Sequence, residues 1–209
     1  WLGRGLGLQD PASAGDYWQD PDYWRFEALA GDRVAVAVDT PEGGLNPYME
    51  LRNAADQNVY ADSDGGPDAD AYISYYGIPS SGSYYVRVGK EYYPPGGSYE
   101  LRVELGRGVQ LEADRQYAND SIGSANLLVL QTIETHRVGT IAGTVMAPGD
   151  ANVDEDYLNL GTVQAGETIF LSLRLPGSSR LSPIIEVRNA AGVVVSIAPN
   201  PSQAVARVD

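Results

Sequence analysis

The sequence predicts an all-β chain of two tandem antiparallel β-sandwich domains, on three observations. Apolar residues recur at every second position over short stretches, as in Val34, Val36 and Val38 or Tyr99, Leu101, Val103 and Leu105. Turns rich in glycine and proline separate these stretches at spacings of about 8 to 12 residues, the pattern of a sandwich. The chain also repeats itself. Asp20-Pro21-Asp22-Tyr23, a strand, Ala30-Gly31-Asp32, a strand, Asn46-Pro47 and Leu51-Arg52-Asn53-Ala54-Ala55-Asp56 return further on. The second set is Asp154-Glu155-Asp156-Tyr157, a strand, Ala165-Gly166-Glu167, a strand, Ser182-Pro183 and Val187-Arg188-Asn189-Ala190-Ala191-Gly192. Tyr157 follows Tyr23 by 134 residues and Asn189 follows Asn53 by 136, so only small insertions separate the copies. The expected domains are 1–106 and 107–209.

Taken in order, Trp1 to Leu8 is a glycine-spaced apolar stretch that reads as a flat opening strand, weakly fixed in register. Its glycines have no following Gly-Lys-Ser/Thr, so it is not read as a phosphate loop. Asp10 to Asp22 is a polar turn. From Tyr23 the period is two through Ala28, and again from Val34 to Val38. Met49 and Leu51 open the next strand, and Asn53 to Asp56 is its hairpin turn. After Val59 and Tyr60 comes an acidic loop, then strands beginning at Ala71 and running over Tyr84–Val88 and Tyr99–Leu105, with Pro94-Pro95-Gly96-Gly97 between the last two. Gly106-Arg107-Gly108 is the linker. Ser121 to Leu130 holds the one plausible helical turn, with Asp120 or Ser121 as N-cap, although its apolar end equally suits a strand. Strands are expected at 139–145, 157–163, 168–175, 184–188, 193–197 and 204–208.

Composition narrows the function. Hydrophobic residues make up 43% of 209, enough for a packed core. A net charge of −14 with pI near 4.3 argues against nucleic acid and acidic membranes as partners and in favour of cations. With no cysteine there is neither a disulfide nor a thiolate site. No apolar run approaches the roughly 20 residues of a membrane span. His136 is the only histidine, so catalytic triads and His-based metal sites lack their parts. No catalytic residue is assigned.

Calcium is the cofactor expected from the acids, because a hard cation takes several oxygens at short range from a carboxylate-rich turn. Three clusters qualify: Asp16, Asp20 and Asp22; Asp62, Asp64, Asp68 and Asp70; and Glu112, Asp114, Asn119 and Asp120 with Asp154 and Asp156. The middle cluster is not an EF-hand, since Pro67 occupies the position that needs glycine. Repeated like charges in one turn repel unless neutralised. Tyr72, Tyr75, Tyr76, Tyr84, Tyr85, Tyr92 and Tyr93 are either sheet packing or a ligand-binding face.

Together, Asp-x-Asp-Tyr, Ala-Gly-Asp/Glu, Asn-Pro or Ser-Pro, Leu-Arg-Asn-Ala-Ala-Asp, Ser-Gly-Ser-Tyr-Tyr-Val-Arg-Val and Gly-Ser-Tyr-Glu-Leu-Arg-Val resemble the bacterial pre-peptidase C-terminal domain. That family is similar to the collagen-binding domains of clostridial collagenases. The resemblance covers most of 16–105 and, without the closing hairpin, 112–208. It implies a jelly-roll-like sandwich that is secreted and non-catalytic, appended to exported enzymes or surface proteins. It also implies calcium held by Glu112, Asp114, Asn119, Asp120 and Asp156; in the first copy Asp22 matches, but the preceding acidic segment is absent.

The functional expectation is a calcium-stabilised extracellular sandwich with a structural or assembly role. The alternative is an accessory module binding an extracellular polymer, either a collagen-like protein or a polysaccharide. The second copy lacks counterparts of Gly82–Val88 and Ser98–Leu105, which leaves strand edges and the core positions Ile169, Leu171, Leu173 and Ile185 to be covered. The rest of a longer chain would cover them, or another subunit would. In the second case Trp1, Leu2, Leu6 and Leu8 form a donor strand for head-to-tail addition, which need not close and gives a filament.

Overall fold

The alternating stretches of the first repeat become eight strands: β1 Gly3–Gln9, β2 Asp22–Ala28, β3 Arg33–Asp39, β4 Pro47–Asn53, β5 Asn58–Asp62, β6 Ala71–Gly77, β7 Gly82–Lys90 and β8 Gly97–Gly106. The structure, a computed structural model, describes residues 3–9, 20–91, 96–146, 153–175, 179, 181–199 and 203–207. Trp1, Leu2, Asp16, Tyr92 and Tyr93 lie outside the described residues. Antiparallel pairing arranges the eight strands into two four-stranded sheets, in the orders β1-β8-β3-β6 and β2-β7-β4-β5. The inward residues of β3, β4 and β7 (Val34, Val36, Val38, Met49, Leu51, Val86 and Val88) are fully buried between the sheets. β7 and β8 each take a central place, one in each sheet. The closing element expected as a hairpin is therefore an arch joining two sheets.

Glycines fix the opening strand. An added Cβ on Gly5 would lie 2.6 Å from the Trp24 ring, and one on Gly7 would lie 2.1 Å from the Tyr99 ring. These rings press on the backbone of β1, so its register against β8, with Gly5 opposite Leu101 and Gly7 opposite Tyr99, is set by shape. Trp24 Nε1 donates to Tyr99 Oη at 2.9 Å and that hydroxyl donates to Asp22 Oδ2 at 2.7 Å, a chain of bonds linking the two sheets. The strand expected to be donated to another subunit is thus paired with β8 of its own chain, with Leu6 79% exposed on its outer side.

Two compact units divide the chain, Trp1–Leu158 and Asn159–Asp209, so the compact units part at a different place from the repeats. The first unit continues past the linker because Arg107 clamps Asp32 through two bonds, Nε to Oδ1 at 3.0 Å and Nη2 to Oδ2 at 2.7 Å. In addition β9, Gln110–Leu111, pairs in parallel with Ile141–Ala142. Leu111 and Met146 cover Ala35, Ala37 and Tyr72 on the outer face of the first sheet. The suggested helix is only a 3-10 turn at Ile122–Ser124, with Ser121 as its cap residue, followed by a two-residue strand.

In the second unit Thr168–Ser172 pairs with Gln203–Arg207, as β3 pairs with β6, and Ile184–Arg188 pairs with Val194–Pro199, as β4 pairs with β5. The likeness extends to individual bonds. Asn53 Oδ1 accepts from the Ala55 and Gln57 amides, and Asn189 Oδ1 from those of Ala191 and Val193, all at 3.0 Å. Gly31 and Gly166 take the same left-handed turn, at φ 89° and 86°. The strand expected over 157–163 is confined to Leu158–Asn159. Among the described residues β2, its counterpart, pairs with β7 alone, and those of the second repeat contain no β7 equivalent.

Replacing Gly7 by valine should drive a side chain into the Tyr99 ring and destabilise the first unit by about 1–3 kcal/mol, the usual cost of overpacking. Denaturant unfolding would measure the loss, and amide exchange should show β1 opening first.

Candidate metal centre

Three segments of the first unit meet beside the outer face of the first sheet: 110–120, 140–146 and 154–157. The first is strapped to β6, where the Ser74 hydroxyl donates to the Glu112 carbonyl at 3.1 Å and accepts from the Asp114 amide at 2.9 Å. Arg115 donates to the buried Asp62, and the Gln116 amide donates to the Gly65 carbonyl at 2.8 Å. The second runs beside the first, its Ala142 carbonyl accepting from the Glu112 amide at 3.0 Å. At Gly143 the backbone comes so close to Glu112 that an added Cβ would sit 2.0 Å from Oε2. The Tyr157 amide, donating to the Asn119 carbonyl at 3.1 Å, joins the third.

These straps gather acids in a place with little water. Glu112, Asp114, Asn119 and Asp154 are buried, with Asp114 and Asn119 fully so, while Asp156 opens to solvent. One carboxylate oxygen each of Asp114, Asp154 and Asp156 can be chosen so that all three lie within 4.8 Å of one another. Oxygens on opposite sides of an ion at about 2.4 Å are about 4.8 Å apart, so the spacing suits a hard divalent cation. Among the described residues no other group of three acidic or histidine side chains converges in this way.

The hydrogen bonds stop short of satisfying the acids. Asp114 Oδ1 accepts from the Asn119 amide at 3.3 Å, Asp120 Oδ1 from that of Glu155 at 3.2 Å, and Asp154 Oδ2 from that of Met146. Asn119 Nδ2 donates to Asp156 Oδ1 at 3.3 Å. Asp114 Oδ2, Asn119 Oδ1, Asp120 Oδ2 and Asp154 Oδ1 are buried with no donor. All four are acceptors, and an unmet buried acceptor costs about 1–3 kcal/mol. A cation held by Asp114, Asp154 and Asp156 would supply the positive charge that unmet acceptors need, so the residues fit a metal. Burial first, and the facing Asp156 carboxylate second, push Glu112 up to about 10. Burial is also the main cause that raises Asp114 to about 6 and Asp154 to about 7.

The other acids expected at metal sites have different surroundings. Asp62 Oδ2 accepts from the Gly65 and Tyr72 amides at 2.7 and 2.9 Å, and its second oxygen faces Arg115, so it organises the loop on which the 110–120 segment docks. Asp70 Oδ1 accepts from the Thr40 amide and hydroxyl. Asp64 accepts from the Ser63 hydroxyl at 3.0 Å, and Asp68 lies in the adjoining 3-10 turn with φ 49°. Asp22 belongs to the Tyr99 chain of bonds, and Asp20 adjoins it at the start of β2. The docking roles of Ser74 and Arg115 were missed from sequence. The one signal for them was a lone cation, Arg115, inside an acidic run. The tyrosines do not form one face: Tyr72 and Tyr84 are buried, Tyr76 packs on the core, and Tyr75 packs beside Leu111.

Residues 20–90, from the turn before β2 to the end of β7, match the family model described as the bacterial pre-peptidase C-terminal domain. Two solved structures are similar to about half of the chain. One is PliG of Aeromonas hydrophila, a periplasmic inhibitor of g-type lysozyme, at 17% identity and TM-score 0.39, covering 50% of this chain and 85% of that one. The other is the pre-peptidase C-terminal domain of a collagenase from Bacillus anthracis, at 19% identity and TM-score 0.38, covering 49% of this chain and 89% of that one. No curated protein matches the chain.

The raised carboxylates give the metal-free protein a pH dependence of defined sign. A folded state that holds protons more tightly than the unfolded chain is favoured at low pH, and the advantage is lost as pH rises from about 4, where free carboxyls titrate, through the folded values. In chelator, the melting temperature should fall between about pH 4 and pH 7, the window of Asp114 and Asp154. Thermal melts across that range would check this, and Asp154→Asn should flatten the slope.

Proposed function

We propose that the chain is a non-catalytic, calcium-stabilised β-sandwich protein of the extracytoplasmic space, with a structural role. The observation that carries this reading is that Asp114, Asp154 and Asp156 bring one oxygen each within 4.8 Å of one another, while buried oxygens of Asp114, Asn119, Asp120 and Asp154 lack a hydrogen-bond donor. Glu112, two residues before Asp114 in the same segment, would complete the donor set. Carboxylates and one amide carbonyl, with no nitrogen or sulfur ligand, make a set suited to calcium. The match of residues 20–90 to a bacterial domain family supports an exported protein. No helix among the described residues is long and apolar enough to cross a membrane.

In this reading the ion would act as a staple. Its ligands would come from residues 112–120 and 154–156, and the first of these segments is docked on the first sandwich through Ser74, Arg115 and Leu111. Binding would therefore hold residues 154–157 to the docked 110–120 segment, against the first repeat. Self-association through residues 1–8 would be an exchange between chains of the β1–β8 pairs that each chain makes by itself.

A second reading, an accessory module for an extracellular polymer, draws on a different surface from the one expected. Tyr23, half exposed under the Arg87 guanidinium at 5.6 Å, lies with Tyr48 and Tyr85 on the outer face of the second sheet. Co-sedimentation with insoluble collagen or polysaccharide, compared with Tyr23→Ala, would detect such binding.

Calcium at about 100 times its dissociation constant should stabilise the first unit by ~2.7 kcal/mol. For a unit of this size that is a rise of roughly 5–10 °C in melting temperature. Calorimetry in calcium and in excess chelator would measure it. Asp154→Asn should remove most of the difference while leaving the β circular dichroism spectrum intact. Equal melting temperatures in calcium and chelator would overturn the calcium reading.

A further inference from the structure

The side chains that would hold an ion in the acidic cluster are themselves held by groups that are not ligands, and those groups lead back to the first sheet. Asp114 and Asn119 are fully buried, each with an oxygen that meets no donor. The backbone between Glu112 and Asp114 is fixed by Ser74, whose hydroxyl donates to the Glu112 carbonyl and accepts from the Asp114 amide. Ser74 sits in a bulge of β6. Val34 stands opposite Tyr76 and Val36 opposite Ile73, so the single residue Ala35 of β3 is matched by two of β6, Ser74 and Tyr75. Tyr75 takes φ 58°, in the left-handed region that a bulky side chain rarely enters. The bulge breaks the alternation. Tyr75 packs on the outer-face cluster that contains Leu111 and Met146, with the Arg33 guanidinium 5.2 Å from its ring, and Tyr76 returns to the core.

A second hold acts on the carboxylates. From the 140–146 segment the Thr144 amide donates to Glu112 Oε1 and the Met146 amide donates to Asp154 Oδ2. Gly143 passes so close that there is no room for a Cβ beside Glu112 Oε2. Met146 is buried with Leu111 against Ala35, Ala37 and Tyr72, which ties this segment to the same patch of the first sheet.

We propose that Ser74, Gly143, Thr144 and Met146 are positioning residues of the metal centre, through which the outer face of the first sheet fixes the ligands and sets the affinity for calcium. This rests on the calcium reading and adds the origin of the affinity. Ligands already held in place lose little freedom on binding, so the affinity depends on residues that would not touch the ion.

The test titrates calcium into the full chain in competition with a chromophoric chelator, well below the melting temperature. Ser74→Ala should raise the dissociation constant about tenfold or more, the usual effect of losing a partner that orients a ligand. Ser74→Thr, which keeps the hydroxyl, should restore most of the affinity. Gly143→Ala should weaken binding by a similar factor, because its Cβ displaces the Glu112 carboxylate, the movable end of a flexible side chain. Met146→Ala should also weaken binding, and Met146→Leu should not. Val86→Ala, which opens a cavity in the core between the sheets, is the control for general loosening. It should lower the melting temperature and leave the dissociation constant within about twofold, since it shares no partner with the site. The proposal is overturned if Ser74→Ala, Gly143→Ala or Met146→Ala binds as the unaltered chain does, which leaves the calcium reading standing. It is also overturned if Ser74→Thr binds no better than Ser74→Ala, or if Val86→Ala weakens binding as much as they do. An unaltered chain that binds no calcium overturns the calcium reading and this inference with it.

Discussion

A carboxylate withdrawn from water must find a positive charge, a set of donors or a proton, and this requirement shapes the first unit more than any other. Asp32 finds Arg107 and the Leu29 amide, and that pair pulls the expected linker back onto the sandwich. Asp62 finds Arg115 and two amides, and that pair seats the acidic segment on the rim of β6. Asp22 finds a tyrosine hydroxyl that is itself held by an indole from the opposite sheet. Each buried acid with a partner thereby positions a piece of chain. Asp114, Asp120 and Asp154 are the exceptions, with one oxygen of each unmet, and they are exceptions in the same place. Clustered unmet acceptors therefore carry more meaning than the abundance of acids along the chain.

Much of the fold was legible in the sequence because it depends on local pattern. Period-two alternation located β2, β3, β4, β6, β7 and β8, and the repeated Arg-Asn-Ala-Ala turn foretold two hairpins closed by the same asparagine bonds. The gathering of Asp114, Asp154 and Asp156 was also legible, since the sequence already grouped them in one acidic cluster. What could not be read was which acids would meet donors. Asp62 and Asp70 resemble ligands when written in a row, yet amides from residues 65 and 72 and the Thr40 hydroxyl reach them only after folding. The placing of β7 and β8 was hidden as well. Adjacent strands joined by a short loop suggest a hairpin, and only the pairing shows an arch. The opening glycines looked permissive, whereas two of them are where a side chain cannot fit.

The boundary between compact units illustrates how packing can override repeat. Residues 107–158 belong to the second copy by sequence, but their apolar anchors, Leu111 and Met146, rest on alanines and a tyrosine of the first. Ala35 and Ala37 are small enough to admit them. At the place matching Ala35 the second copy carries Phe170, 61% exposed. Two copies of one motif have thus diverged on their outer faces while keeping their turns.

The two central strands also come last in their repeat, and this determines the order in which such a sandwich is made. β4–β5 closes over a few residues, and β3–β6 over a few tens. β2 waits for β7 some 60 residues later, and β3 waits for β8 about as long, so most of the repeat must be synthesised before either sheet is whole. Loop closure over such distances is slow and leaves edges open meanwhile.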